Sequence, residues 1–142
     1  MSSALDYLDQ GKSYMEKGLY YDAIEALDEA IRLDPTSAET YLKRGMAYAE
    51  EEEYDRAVDD YTEAIRLDPK NGEAHFHRGN AYFAEDYFEK AIIDYDEAIR
   101  ANSELALAYY KRGLAFLGKG DVTRGKADQK KAIDLDPALE KK

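Results

Sequence analysis

The chain has 142 residues, with 31 Asp and Glu against 20 Lys and Arg, for a net charge of −11. That balance disfavours nucleic acid, whose phosphates need a basic stripe that displaces counterions, and it disfavours docking on an anionic membrane surface. No cysteine is present, which excludes a disulfide framework, a thiolate metal site and a thiol nucleophile.

The amino end, MSSALDYLDQGKSY, lacks the basic start and apolar run of a secretory leader. No apolar run approaches the roughly 20 residues of a spanning helix. A cytoplasmic protein is the expectation. The first helix should run from about Ala4 to Lys17, capped by the hydroxyl of Ser2 or Ser3. A second follows from about Tyr20 to Leu33, with Ala23, Ile24, Leu27, Ala30 and Ile31 at the three-and-four spacing of one apolar face. Asp34 precedes Pro35, which pushes it out of the helical region and stops the helix. Thr36 with Glu39 three residues on then has the pattern of a capping box.

From Ala38 onward the plan repeats. Gly11, Gly45, Gly79 and Gly113 stand 34 residues apart, as do Ala30, Ala64, Ala98 and Ala132. Tyr14, Tyr48, Tyr82 and Phe116 keep the same step, as do Pro35, Pro69, Ser103 and Pro137. A fixed period of this size is the mark of a solenoid. The repeats fall at 4–37, 38–71, 72–105 and 106–139, and the whole chain is expected to form one domain of about eight helices. Asn71 can cap the third repeat, and Ser103 is expected to open the fourth slightly early. A glycine inside a helix costs about 1 kcal/mol relative to alanine. Its recurrence implies a close crossing of the first helix of each repeat on the second.

Tyr-x-x-x-Gly-x-x-Tyr, followed by Ala-x-x-x-Tyr, Ala and Pro, resembles the tetratricopeptide repeat over about residues 4–137. Departures are local. Gln10, Arg44, Arg78 and Arg112 stand where the family usually has leucine, and His75 where it favours a large aromatic. The resemblance implies an all-α, right-handed superhelical solenoid of antiparallel helix pairs, the first helices lining a concave groove that holds a peptide or helix of another protein.

Helical spacing then names the groove residues. Leu8, Leu42, Phe76 and Tyr110 share one slot and read as an apolar stripe. Lys43, His77 and Lys111 share the next and read as a short basic stripe. Lys12, Met46, Asn80 and Leu114 complete the wall. The expected ligand is a segment with apolar anchors and carboxylates. One branch of the family clamps the terminal carboxylates of heat-shock chaperones. Its basic and amide residues correspond here to Leu8, Lys12, Lys43, Glu73 and His77, none of which matches, so that clamp is not expected.

Other motifs dissolve on inspection. GLAFLGKG at 113–120 approaches a phosphate-binding loop but ends in Gly120 where Ser or Thr would hold magnesium, and no strand precedes it. His75 and His77, two apart on a helix, point in different directions and make a poor zinc site. Asp94-Tyr95-Asp96-Glu97 lacks the glycine of a calcium loop. Glu50–Glu53 reads as a solvated turn. No nucleophile–base pair can be assembled, so neither catalysis nor a cofactor or metal is expected.

In the fourth repeat, Gly125, Lys126 and Gln129 replace Ala91, Ile92 and Tyr95 of the third. That polar face suits a terminal repeat with the tail folded back on it. Ile133 and Leu135 keep two alternatives open: a module that self-associates weakly end to end, or a fragment of a longer repeat protein.

Overall fold

The computed structural model describes residues 1–141. Among them are eight α-helices and one 3₁₀ turn, with no strand. The helices are α1 Ala4–Glu16, α2 Tyr20–Leu33, α3 Ala38–Glu50, α4 Tyr54–Leu67, α5 Gly72–Ala84, α6 Phe88–Ala101, α7 Ala106–Gly118 and α8 Val122–Leu135. The chain divides into two compact units, Met1–Pro69 and Lys70–Lys142, each built from two helix pairs. No helix among the described residues is long and apolar enough to cross a membrane.

Each pair is joined by a three-residue turn of one design. Leu19, Glu53, Tyr87 and Asp121 donate their backbone N–H to the carbonyls of Tyr14, Tyr48, Tyr82 and Phe116, at 2.8–2.9 Å. This is the Schellman closure, which needs a left-handed residue just before the donor. Gly18 and Gly120 fill that place at φ 74° and 90°, but Glu52 and Asp86 fill it at 59° and 62°. A side chain there costs about 1–2 kcal/mol, partly offset by the lower entropy of its unfolded chain. Glu52→Gly should therefore raise stability by about 0.5–1 kcal/mol. An unchanged or lowered denaturation midpoint would contradict this.

Between pairs, Asp34, Asp68 and Asp136 adopt extended backbone before proline, with φ near −145°. Asn102 does the same at −146° although Ser103 follows it. Proline is therefore not required for the break. A local side-chain turn suffices: Asn102 accepts from the Glu104 N–H at 3.1 Å, as Asp34 accepts from Thr36 at 3.0 Å.

Caps follow the sequence with two corrections. Ser3 forms a full capping box with Asp6, and Asn71 accepts from the Ala74 N–H. The cap of α3 is Ser37, accepting from Thr40, because Thr36 is engaged with Asp34. Ser103 opens no helix: α7 starts at Ala106 after Leu105, which provides no side-chain cap.

In the first unit α1 packs on α2 and α3 on α4, while α2 and α3 adjoin. Its core gathers Leu8, Ala23, Ile24, Leu27, Ala30 and Ala47, with Tyr7, Tyr14, Met15, Tyr20 and Tyr48 packed against them. The second unit has the same arrangement in α5–α8, around the buried Ala91, Tyr95, Ala98, Ala115, Phe116 and Ala132. The recurring glycines allow the close crossing. A Cβ on Gly45 would stand 2.7 Å from the Tyr61 ring, and one on Gly79 2.8 Å from Tyr95.

The fourth repeat departs in a way its sequence does not announce. Gly125 is buried against α7 and is no part of a polar outer face. A Cβ on it would lie 2.7 Å from Leu117 and 3.0 Å from the Gly113 carbonyl. Gln129 replaces the tyrosine that fills this gap in the third repeat, so the two helices close glycine against glycine. Lys126 is exposed as expected. The 3₁₀ turn Pro137–Lys141 folds back on α8, burying Leu139 to 5 % exposure.

Candidate binding surface and its supporting ion pairs

The candidate surface belongs to the first helices, α1 and α3 in one unit and α5 and α7 in the other. Within each unit the two first helices touch. The apolar slot is not uniform. Leu8 and Leu42 are each only 4 % exposed, and Leu8 belongs to the packed cluster of the first unit. They do not form an exposed wall, because a helix between neighbours is covered on more than one side. Phe76 and Tyr110 are half-buried and keep part of their surface in solvent. Phe76 also leans on the Tyr95 ring at 5.9 Å and on the edge of His77 at 5.5 Å.

The basic slot divides likewise. Among the described residues, Lys43 and Lys111 are half-exposed and enter no ion pair. His77 approaches Glu73, one turn before it, at 3.7 Å. Lys12 reaches from α1 to Glu39 on α3 at 2.6 Å, so its charge ties the two helices together. That hydrogen bond is the main cause of its raised pKa. In the same slot Asn80 accepts from the buried Tyr95 hydroxyl at 2.7 Å, which gives it a packing role. Met46 and Leu114 are half-buried.

Behind this surface runs a set of ion pairs that helical spacing did not reveal. Arg44 grips Asp60 through two hydrogen bonds, 2.9 and 2.7 Å, and reaches back to Asp28 at 2.9 Å. Arg112 repeats this with Asp128, at 2.8 and 2.8 Å, and with Asp96 at 2.9 Å. Arg78 holds Asp94 at 2.8 and 2.8 Å, and His75 also meets that carboxylate, at 3.2 Å. Each arginine is thus matched to an aspartate 16 residues on. The first repeat lacks both partners, with Gln10 and Ala26 in their places. This joint change was visible in the sequence, and it is the signal that could have found the pairs.

The carboxylates are deeply placed, with side-chain exposures of 6 % for Asp60, 2 % for Asp94 and 9 % for Asp128. Burial pushes the Asp60 carboxyl up while Arg44 pulls it back down. For Arg112, the hydrogen bond to Asp128 raises the guanidinium above its ordinary value against the opposing effect of burial. No buried side-chain polar atom among the described residues lacks a partner. These arginines therefore serve the fold: all three join first helix to second within a repeat, and Arg44 and Arg112 also join one repeat to the next within a unit.

The discarded motifs lie where the sequence put them. Residues 113–118 end α7, and Lys119–Asp121 form the turn after it. Asp94 and Asp96 lie on α6, bound to Arg78 and Arg112. Among the described residues no three His, Asp or Glu side chains converge as a metal site.

Comparison with known proteins agrees with this architecture. A model described as TPR repeat matches residues 11–51, 45–86 and 79–120, and one described as Tetratricopeptide repeat matches 106–139. No curated protein matches the chain in sequence. Among solved structures, a crystal structure of MamA is 34 % identical with a TM-score of 0.91, covering 98 % of this chain and 81 % of its own. MamA from Desulfovibrio magneticus RS-1 is 27 % identical with a TM-score of 0.90, covering 94 % of this chain and 76 % of its own. The second TPR of Spaghetti (RPAP3), bound to the HSP90 peptide SRMEEVD, is 29 % identical with a TM-score of 0.69, covering 71 % of this chain and 94 % of its own. With repeat models spanning most of its length and helix pairs at every predicted place, the chain belongs to the tetratricopeptide repeat family.

Proposed function

We propose that this protein is a non-catalytic interaction module that holds a peptide or helix of another protein against its first helices. Proteins of this family are generally interaction modules of that kind. The observation that carries the reading is in the second unit. There Phe76 on α5 and Tyr110 on α7 keep apolar surface in solvent at one repeat position, on helices that touch. Lys111 adds a half-exposed cation in a chain of net charge −11. In the first unit the supporting residues are Lys43 and Met46, while Leu8 and Leu42 contribute through packing. The ligand is a segment with apolar anchors and carboxylates, and its charges set on-rate and specificity more than affinity.

A displayed random-peptide library tests this directly. Wild type should enrich sequences combining apolar and acidic residues, and a Lys43→Glu/Lys111→Glu variant should bind them about tenfold more weakly with a shallower salt dependence. No enrichment, or equal binding by the variant, would sink the reading.

The chaperone-tail mode is not proposed. Lys12 is occupied by Glu39, and the exposed Glu73 would repel a terminal carboxylate. The peptide SRMEEVD should show no saturable binding below about 1 mM. A micromolar dissociation constant that fails on Lys12→Ala would reverse this.

A further inference from the structure

Tyr48, Tyr82 and Phe116 occupy one position in successive repeats, and each ring has two cations over it. Arg44 and Arg56 lie 5.9 and 5.7 Å from the Tyr48 ring centre. Arg78 and Lys90 lie 5.9 and 5.5 Å from Tyr82. Arg112 and Arg124 lie 5.9 and 5.5 Å from Phe116. In every case the first cation comes from the ring's own helix and the second from the helix after it. Arg44 and Arg112 also lie over a second ring, Tyr41 at 5.8 Å and Tyr109 at 5.5 Å.

Tyr14 is the fourth member of this series, and both its cations are missing. Gln10 stands at the place of Arg44 and Asp22 at that of Arg56, while Ala26 replaces the aspartate that would hold the arginine. Tyr7 keeps the place of Tyr41. The lost side chains leave an open cavity of about 230 Å³ between α1 and α2, lined by these residues together with Glu25 and Glu29. Glu29 is engaged by Arg32 at 2.9 Å. Asp22 and Glu25 are exposed and enter no ion pair among the described residues.

We propose that this cavity is a receptor for an arginine side chain presented by a partner protein. The same ring position takes a guanidinium from the same side in all three other repeats. Here the frame of two tyrosines survives while the chain's own guanidinium does not. A cation over an aromatic face is attracted by the ring quadrupole, and the planar guanidinium stacks where an ammonium cannot. The carboxylates of Asp22 and Glu25 supply the anionic partner that Asp60 supplies to Arg44, moved from the floor of the site to its side. The partner segment is basic, which complements a chain of net charge −11. The site lies within the first unit and does not depend on the peptide-binding reading above.

The test uses the full chain, the probe acetyl-Gly-Arg-Gly-amide and its citrulline counterpart, a neutral near-isostere. Ring-proton NMR signals of Tyr7 and Tyr14 should shift saturably with the arginine probe in the millimolar range, and at least tenfold more weakly with citrulline. Gln10→Arg/Ala26→Asp, which rebuilds the filled site of the second repeat, should abolish the shift. Asp22→Asn/Glu25→Gln, a surface change that leaves the packing intact, should weaken binding about fivefold. No saturable shift at about 10 mM probe, or equal shifts with citrulline, overturns the proposal. Shifts that grow with protein concentration alone assign the cavity to a second copy of the chain and overturn it too.

Discussion

Replacing Arg44 by glutamine is expected to lower stability by about 3–5 kcal/mol, because it leaves the Asp60 carboxylate buried without its cation. Asp60 is 6 % exposed, and the two hydrogen bonds from Arg44 are its side-chain partners. Replacing both residues, Arg44→Gln with Asp60→Ala, should stay within about 1 kcal/mol of wild type, since the only charge left without its cation, Asp28, is 50 % exposed and solvated. The molecule already contains that arrangement: Gln10 and Ala26 occupy the equivalent places in the first repeat. Denaturant midpoints of the three proteins check the ordering, and a double variant as damaged as the single one would refute it.

The single variant also has a pH signature. Burial already pushes the Asp60 carboxyl up, and removing Arg44 removes the opposing pull. A carboxyl whose folded pKa lies above its unfolded value binds more protons when folded, so it favours the folded state at low pH and loses that favour as pH rises through the folded pKa. The gap between Arg44→Gln and wild type should therefore narrow on going from pH 7 toward pH 4. A gap that stays constant or widens would exclude Asp60 as the source of the loss.

Gly113→Ala should cost about 2 kcal/mol, opposite in sign to helix propensity, which favours alanine by about 1 kcal/mol. The added Cβ would stand 2.9 Å from the Gly125 carbonyl oxygen, 3.1 Å from the Asp128 Cβ and 3.4 Å from the Gln129 amide nitrogen. Two of these obstacles are backbone atoms of α8, so no rotamer change can relieve the contact, and α7 and α8 must separate. Separation would also stretch the Arg112–Asp128 bonds. A raised thermal midpoint for Gly113→Ala would mean that the crossing is looser than the geometry shows.

The two variants probe features of unequal visibility. The recurring glycines were plain in the 34-residue period and led to the close crossing. The Gly113–Gly125 contact was hidden because Gly125 fell in a stretch that read as an outward face. Its role depends on Gln129 giving up the volume that Tyr95 fills in the third repeat. The arginines were visible as departures from the family pattern, yet nothing local identifies their partners. Each pair joins residues 16 apart on two different helices.

The candidate binding surface was less legible still. Helical spacing set Leu8, Leu42, Phe76 and Tyr110 in one slot, and the structure separates them into two packed leucines and two half-exposed aromatics. Lys12 and Asn80 likewise read as wall residues, whereas one bridges to Glu39 and the other holds Tyr95. An apolar face wide enough to reach two neighbours gives no sign of where packing stops.

Sequence alone determined the repeating helix pair, its period and the limits of its first copy to within a residue. α2 runs from Tyr20 to Leu33 as read, and α1 ends one residue early at Glu16. Caps, Schellman turns and extended residues before proline act within about five positions, so a local reading recovers them. Burial and charge pairing were decided by which helices met. The same slot is core at Leu42 and surface at Tyr110, because that outcome depends on side chains brought from another helix, just as Arg44 is held by an aspartate from the following helix.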